Sequence, residues 1–486
     1  MRRAPAIVLA IVCTALPIAL QCAADRHAGW QMVDFRSYYC ASLAQRENAN
    51  PYFAAPLHRC ESRTPAPYYR APAAVTVPAP YPPYALALLE PLTLVPFALA
   101  AVVWWLLLAS AIALAAYAIA RVTAQPLLAG WAVVGLSLGL TCFSAGNAMP
   151  LAVAAVTLGA LYAQRSKYVA AALAISLGMI EPQIALPAVV GCFIGFRSIR
   201  LPLAVALLAL GTISLVGGGV AHNLAYFTTV LPAHALSEVS RDNQYSLSTV
   251  VAAFGLPDRA AVLAGSAAYL AMLGLGVAVG LALARRYAEP AFVPLVPCAF
   301  ALLGASFAHT EAIAAAVPAA LLLCVRAREY RGWIFAALVL LAVPWMYATS
   351  AALFLAPFYP VAYLTYALWR RDRTTSAAAG VAAAAAILGL FALAASSSHV
   401  IAGVHPHPPI DPRLAEASWR NFVLGNSTNR LVTWLLRLPT WAGLIGLVIA
   451  AIAISRRSPA PTSATSASFD APSLMDLDLR NDAMGV

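Results

Sequence analysis

The chain has 486 residues, 62% of them hydrophobic and only 10% charged, with a mean hydropathy of +0.79. Water-soluble domains carry roughly a quarter charged residues, so a single soluble core is excluded and the bilayer class is implied. The net charge of +11 does not point to nucleic acid, because the cations fall in short clusters between apolar runs.

The chain opens with Arg2–Arg3 and the apolar run 4–20. It reads either as a signal peptide with a small-residue site near Cys22-Ala23-Ala24 or as an uncleaved first span, about 5–24. The many later spans favour the second reading. An external segment of about 25–83 follows, in which Asp34 starts a short amphipathic helix over about 34–46, expected at the membrane surface. From spacing alone Asp34 is either the N-cap of that helix or a carboxylate facing a cavity, and the two are compatible. Cys40 and Cys60 share this loop and are near enough in sequence to pair. Cys13, Cys142, Cys192, Cys298 and Cys324 sit in apolar runs and read as packing residues.

The run 84–95, broken by Pro91, is short enough to be re-entrant. Spans are then expected near 97–120, 128–145, 148–164, 168–181, 183–197 and 200–219, with an external loop at about 220–258. Further spans are expected near 260–284, 290–308, 310–327, 333–350, 353–369 and 376–396. A third external loop, about 397–436, precedes a last span near 438–455. The fold expected is thus all-α, a polytopic transmembrane bundle of about 11–14 spans occupying 1–457. The Ser-, Pro- and Asp-rich stretch 458–486 is too polar to fold and reads as a disordered cytoplasmic tail. Arg121, Arg165 with Lys167, Arg197 with Arg200, Arg285–Arg286, Arg326 to Arg331, Arg370 to Arg373 and Arg456–Arg457 fit cytoplasmic loops. Arginine dominates these clusters in an Ala-rich chain, which suggests a GC-rich bacterial genome; the expected setting is then a bacterial plasma membrane.

With the cations inside, the polar residues of interest gather at the opposite ends of the spans. They are Gly146-Asn147, Glu181-Pro182-Gln183, His309-Thr310-Glu311 and the patch Arg241-Asp242-Asn243-Gln244-Tyr245. Ionisable groups in apolar runs are costly, which makes Glu181 a functional candidate, although a helix-break carboxylate open to water fits as well. His309 with Glu311 suits a proton relay or a substrate contact, or else a solvated turn. His399, His405 and His407 lie among Pro and Ser without a carboxylate at ligand spacing, so no metal is expected there.

The order of these motifs is familiar. Asp34-Phe35-x-x-Tyr38-Tyr39, Asn50-Pro51-Tyr52 and Tyr81-Pro82-Pro83, then Gly146-Asn147, Glu181-Pro182, Asn243-Gln244-Tyr245-Ser246-Leu247 and His309, together resemble glycosyltransferase family 87. The resemblance spans about 30 to 325 and implies a GT-C-class membrane transferase whose sugar donor is carried on polyprenyl phosphate, mannose above all. It implies Asp34 as catalytic base and His309 as a catalytic assistant to the departing phosphate. Substrate contacts are expected from Arg36, Tyr38, Tyr39, Asn147, Glu181, Arg241, Asn243, Gln244 and Glu311. The family pattern has Lys where this chain has Glu181, which shifts the expected phosphate contact to an arginine such as Arg36, Arg70 or Arg241. The implied partners are the lipid-linked donor, a lipid or glycan acceptor and membrane lipids, with no nucleic acid and no cofactor. A transporter or flippase of lipid-linked substrates, or a non-catalytic glycolipid binder, is the rival reading.

Overall fold

A computed structural model describes residues 3–64, 75–347, 407–426 and 431–457. Every regular element among them is helical, the architecture of a polytopic helical membrane protein. A helix satisfies its own backbone polar groups, which a bilayer interior does not do for any open alternative. The expected spans 353–369 and 376–396, residues 397–406 and 427–430 of the third external loop and the tail 458–486 lie outside the described residues, as does Arg70.

Helix α1 (Arg3–Ala28) leads into three short helices, α2 (Val33–Arg46), α3 (Ala54–Glu61) and α4 (Pro83–Leu89). Next come α5 (Phe97–Val122), α6 (Leu127–Leu138), α7 (Met149–Gln164), α8 (Tyr168–Leu177), α9 (Pro182–Gly195) and α10 (Arg200–Ala225). The short α11 (Leu231–Glu238) and α12 (Leu247–Ala253) precede α13 (Asp258–Tyr287), α14 (Phe292–Gly304), α15 (Val317–Arg326) and α16 (Arg331–Ala342). The last two are α17 (Ala415–Asn426) and α18 (Leu431–Arg456).

Among the described residues, length and apolarity qualify four stretches as spans: Phe97–Val122, Arg197–Glu238, Asp258–Tyr287 and Thr433–Arg456. A fifth is Thr310–Arg326 with Arg328–Ala342, bent by 109°. Five further apolar helices among the described residues run 10–17 residues, shorter than the roughly 20 a straight crossing needs, so among these residues a count of 11–14 full spans does not follow from length. Helix α10 shows what the bilayer explains: Leu201, Leu208, Val216 and Val220 stand exposed, Val216 at 83%. A row of bare aliphatic side chains is stable only against lipid. Gly276 and Gly280, one turn apart on α13, face α14. A Cβ at these positions would lie 2.8 Å from Pro297 Cα and 2.9 Å from the Phe292 carbonyl oxygen. Small residues one turn apart let helix backbones close on each other where no hydrophobic effect drives them together.

The two ends of the bundle differ in chemistry. At one, Arg286 donates to the Arg457 carbonyl, Arg457 pairs with Glu329 and Arg326 with Glu289. The short helices cover the other. There α2 is enclosed, not laid on the surface as its pattern suggested: Phe35 and Cys40 are buried on one side, and Arg36, Ser42 and Gln45 are buried as well. Gln45 reaches its partners at the Pro83 carbonyl and Glu90, 3.1 Å each. Cys40 and Cys60 form a disulfide with their Cα atoms 5.5 Å apart, tying α2 to α3. The segment before α17 straps onto the same layer, with Ala54 N donating to Arg413 O and Ala415 N to Tyr52 O. Cys142, Cys192, Cys298 and Cys324 are buried and free, as expected of packing residues.

Candidate active site

The start of α2 is set by a turn more than a hundred residues away. Met32, in the left-handed region at φ 57°, holds the N-cap position and makes no side-chain cap. The N-cap reading of Asp34 is therefore corrected: Asp34 lies in the first turn, and its backbone N–H donates to Ala145 O at 2.9 Å. Its carboxylate is left for tertiary use. Asn147 Nδ2 donates to Asp34 Oδ2 at 2.8 Å, and Asn147 Oδ1 is itself fixed by the Met149 N–H. Gly146 makes this approach possible. Its φ is +75°, and a Cβ there would lie 2.7 Å from Phe35 Cβ. Trp104 Nε1 holds the Gly146 carbonyl from α5 at 2.8 Å.

A cavity of about 360 Å³ opens beside Asp34, lined also by Arg241, Asn243 and Glu311. Trp30, Trp419 and Phe422 supply its aromatic wall, and Gln21 and Asp25 of α1 lie at its rim. Phe422 joins the wall together, its ring centroid 5.4 Å from both Trp30 and Trp419. Burial raises the Asp34 pKa, while Asn147, Arg241 and His309 pull it back; the net shift is upward. A carboxyl moved upward is a stronger base when ionised, which suits proton abstraction.

Behind Arg241 stands a carboxylate that the sequence reading passed over. Glu238, 1% exposed, accepts from His309 Nε2 at 2.9 Å, Gln244 Nε2 at 3.0 Å, Arg241 Nη1 at 3.2 Å and Trp419 Nε1 at 2.6 Å. The motif Asn243-Gln244-Tyr245 pins the His309 turn: Gln244 Oε1 accepts from Ala308 N at 2.9 Å, and Tyr245 N donates to Ala308 O at 2.7 Å. Burial acts to lower the His309 pKa, but the Glu238 carboxylate outweighs it and the net shift is upward. The signal for Glu238 was present as an acid three residues before Arg241 at the end of an apolar helix. The expectation of a single external loop over 220–258 hides it, because that stretch carries the end of a helical segment.

The other expected site residues divide. Asp34, Arg241, Asn243 and Glu311 line the cavity together, while His309, Gln244 and Asn147 stand behind that lining. Glu181 is buried elsewhere, accepting from the Tyr81 hydroxyl and from Gln183 Nε2, the latter at 2.6 Å. Tyr38 packs edge-on against Tyr81, and Tyr39 donates to Val95 O at 2.9 Å. Arg36 is fully buried near Glu61 and does not line the cavity. His407, read without a carboxylate at ligand spacing, meets Asp258 at 2.7 Å, 149 positions away.

The sequence of residues 80–310 matches the model of glycosyltransferase family 87. Over that stretch the chain is similar to glycosyltransferase family 87. No curated protein and no solved structure matches it. The family-87 match takes in Asn147, Glu181, Glu238, the 241–247 patch and His309, and it begins after Asp34 and ends before α17. The match implies a membrane glycosyltransferase, an enzyme that would take a sugar donor and an acceptor.

Proposed function

We propose that this protein is an inverting glycosyltransferase of the GT-C class, drawing a sugar, mannose first among candidates, from polyprenyl phosphate. The reaction is placed on the periplasmic side of a bacterial plasma membrane, the arginine-rich end facing the cytoplasm. The observation that carries the reading is the cavity itself: an oriented carboxylate, Asp34, shares it with one guanidinium, Arg241.

The acceptor hydroxyl gives its proton to Asp34 as its oxygen bonds to the anomeric carbon. The bond from that carbon to the phosphate oxygen breaks on the opposite face, the electron pair leaves with polyprenyl phosphate, and configuration inverts. Phosphate leaves readily, so the main demands are a base and a cation, which Asp34 and Arg241 supply. Two buried acceptors lining the cavity, Asn243 Oδ1 and Glu311 Oε2, lack hydrogen-bond partners among the described residues. Buried polar atoms without partners call for an explanation, and sugar hydroxyls are donors of the right kind.

The test is a donor panel with purified protein in detergent, using mannose, glucose and arabinose on polyprenyl phosphate with a membrane glycolipid extract as acceptor. Label should pass from one donor into a larger lipid product with inverted anomeric configuration. Transfer from nucleotide sugars instead, or product of retained configuration, would overturn the reading.

A further inference from the structure

We infer that Glu238 is a positioning residue, one that holds the proton on His309 and aims Arg241 into the Asp34 cavity, with Trp419 of α17 completing its hold. The inference rests on the transferase reading above. A buried carboxylate needs one cation to be tolerated, and Glu238 has two, together with two neutral donors. The donors come from three places besides its own helix: the 241–244 turn, the His309 turn and α17. Trp419 serves twice, donating its Nε1–H to Glu238 and lying under the Arg241 guanidinium at 5.0 Å. Arg241 is thus fixed from two sides while its cavity face stays open.

Charge gives the arrangement a purpose beyond packing. Glu238 with Arg241 alone sums to zero, a poor environment for a departing phosphate. A protonated His309 brings the cluster to one net positive charge directly behind the cavity wall. The groups around it are identifiable. His234 lies on the same helix, Glu311 on the His309 side and Asp34 across the cavity. On α17, Glu416 is near Tyr52 and Arg420 near Asp258. Arg437 of α18 donates to the carbonyls of Arg241 and Asp242.

Glu238→Gln and Glu238→Asp should be compared in two readouts. In the first, 15N-histidine spectra with the His309 signal assigned by His309→Gln, the His309 titration should fall to lower pH in Glu238→Gln and stay near wild type in Glu238→Asp. This readout needs no turnover, so it stands or falls separately from the transferase reading. In the second, kcat/KM for the polyprenyl-phosphate donor should fall about 10- to 100-fold in Glu238→Gln. Both limbs of its pH profile should move to lower pH, with partial recovery in Glu238→Asp. An unmoved His309 titration in folded Glu238→Gln would overturn the inference, as would equal loss in both variants with unshifted limbs.

Discussion

Asp34 and Glu181 lie at the same end of the bundle, and both are carboxylates that an apolar sequence does not carry idly. Asp34 keeps one side on an open cavity and is held from behind by a single amide, Asn147. Glu181 is closed in by the Tyr81 hydroxyl and Gln183, and its neighbourhood extends through Tyr81 to Tyr38. What separates a reactive carboxylate from a structural one here is which of its lone pairs the fold has already used. The same criterion places Glu238, whose two oxygens are both engaged, on the supporting side.

The largest effect should come from separating the two carboxylates by substitution. Asp34→Asn is expected to lower the transfer rate by about a thousandfold, some 4 kcal/mol of barrier, while the variant still inserts and purifies. Glu181→Gln should stay within about tenfold of wild type in the same assay. Equal losses would dissolve the distinction.

Next in size is the clamp that carries Asp34. Replacing Cys40 by Ser opens a disulfide that closes 20 residues of chain, and about 2–4 kcal/mol of stability should go with it. A lowered melting temperature in detergent checks this, and an unchanged one would detach α3 from the site's support. Tyr81→Phe is expected to cost about 1–3 kcal/mol, because it leaves the buried Glu181 carboxylate one donor short. It should lower melting temperature with little change in kcat, which is the signature of a structural carboxylate.

The smallest effects are shifts in pH dependence. Asp34 must be ionised to act as base, so activity should fall as pH drops through its raised pKa. His309 must be protonated to leave the Glu238 cluster positive, so activity should also fall as pH rises through its raised pKa. Asn147→Ala removes a donor that lowers the Asp34 pKa, so the acid limb should move upward while the basic limb stays. Rates of transfer measured across pH in both proteins decide it.

Much of the scaffold was legible because hydrophobic runs and helices are both local. The span read at 97–120 is the helix Phe97–Val122, and the helix read at 34–46 is Val33–Arg46. The site was legible only where its motifs are themselves contiguous, as with the 241–245 patch. On local pattern Asp34 reads as an N-cap as readily as a cavity carboxylate, whereas its partner Asn147 is 113 positions away. Glu181 acquires its structural meaning from Tyr81, 100 positions distant, and Glu238 from Trp419, 181 positions distant. No periodicity encodes such pairings. The surface placement of α2 failed for a related reason: its polar side looked solvated until Pro83, Glu90 and Glu61 were brought over it.

The central claim is that Asp34 acts as the base, and azide tests it most directly. Azide is a small nucleophile that carries no proton to remove. In Asp34→Gly, which leaves space beside the cavity, transfer to the natural acceptor should be lost, and added azide should yield the glycosyl azide of inverted configuration from the lipid-linked donor. Natural transfer at the wild-type rate in Asp34→Gly without azide would contradict the account.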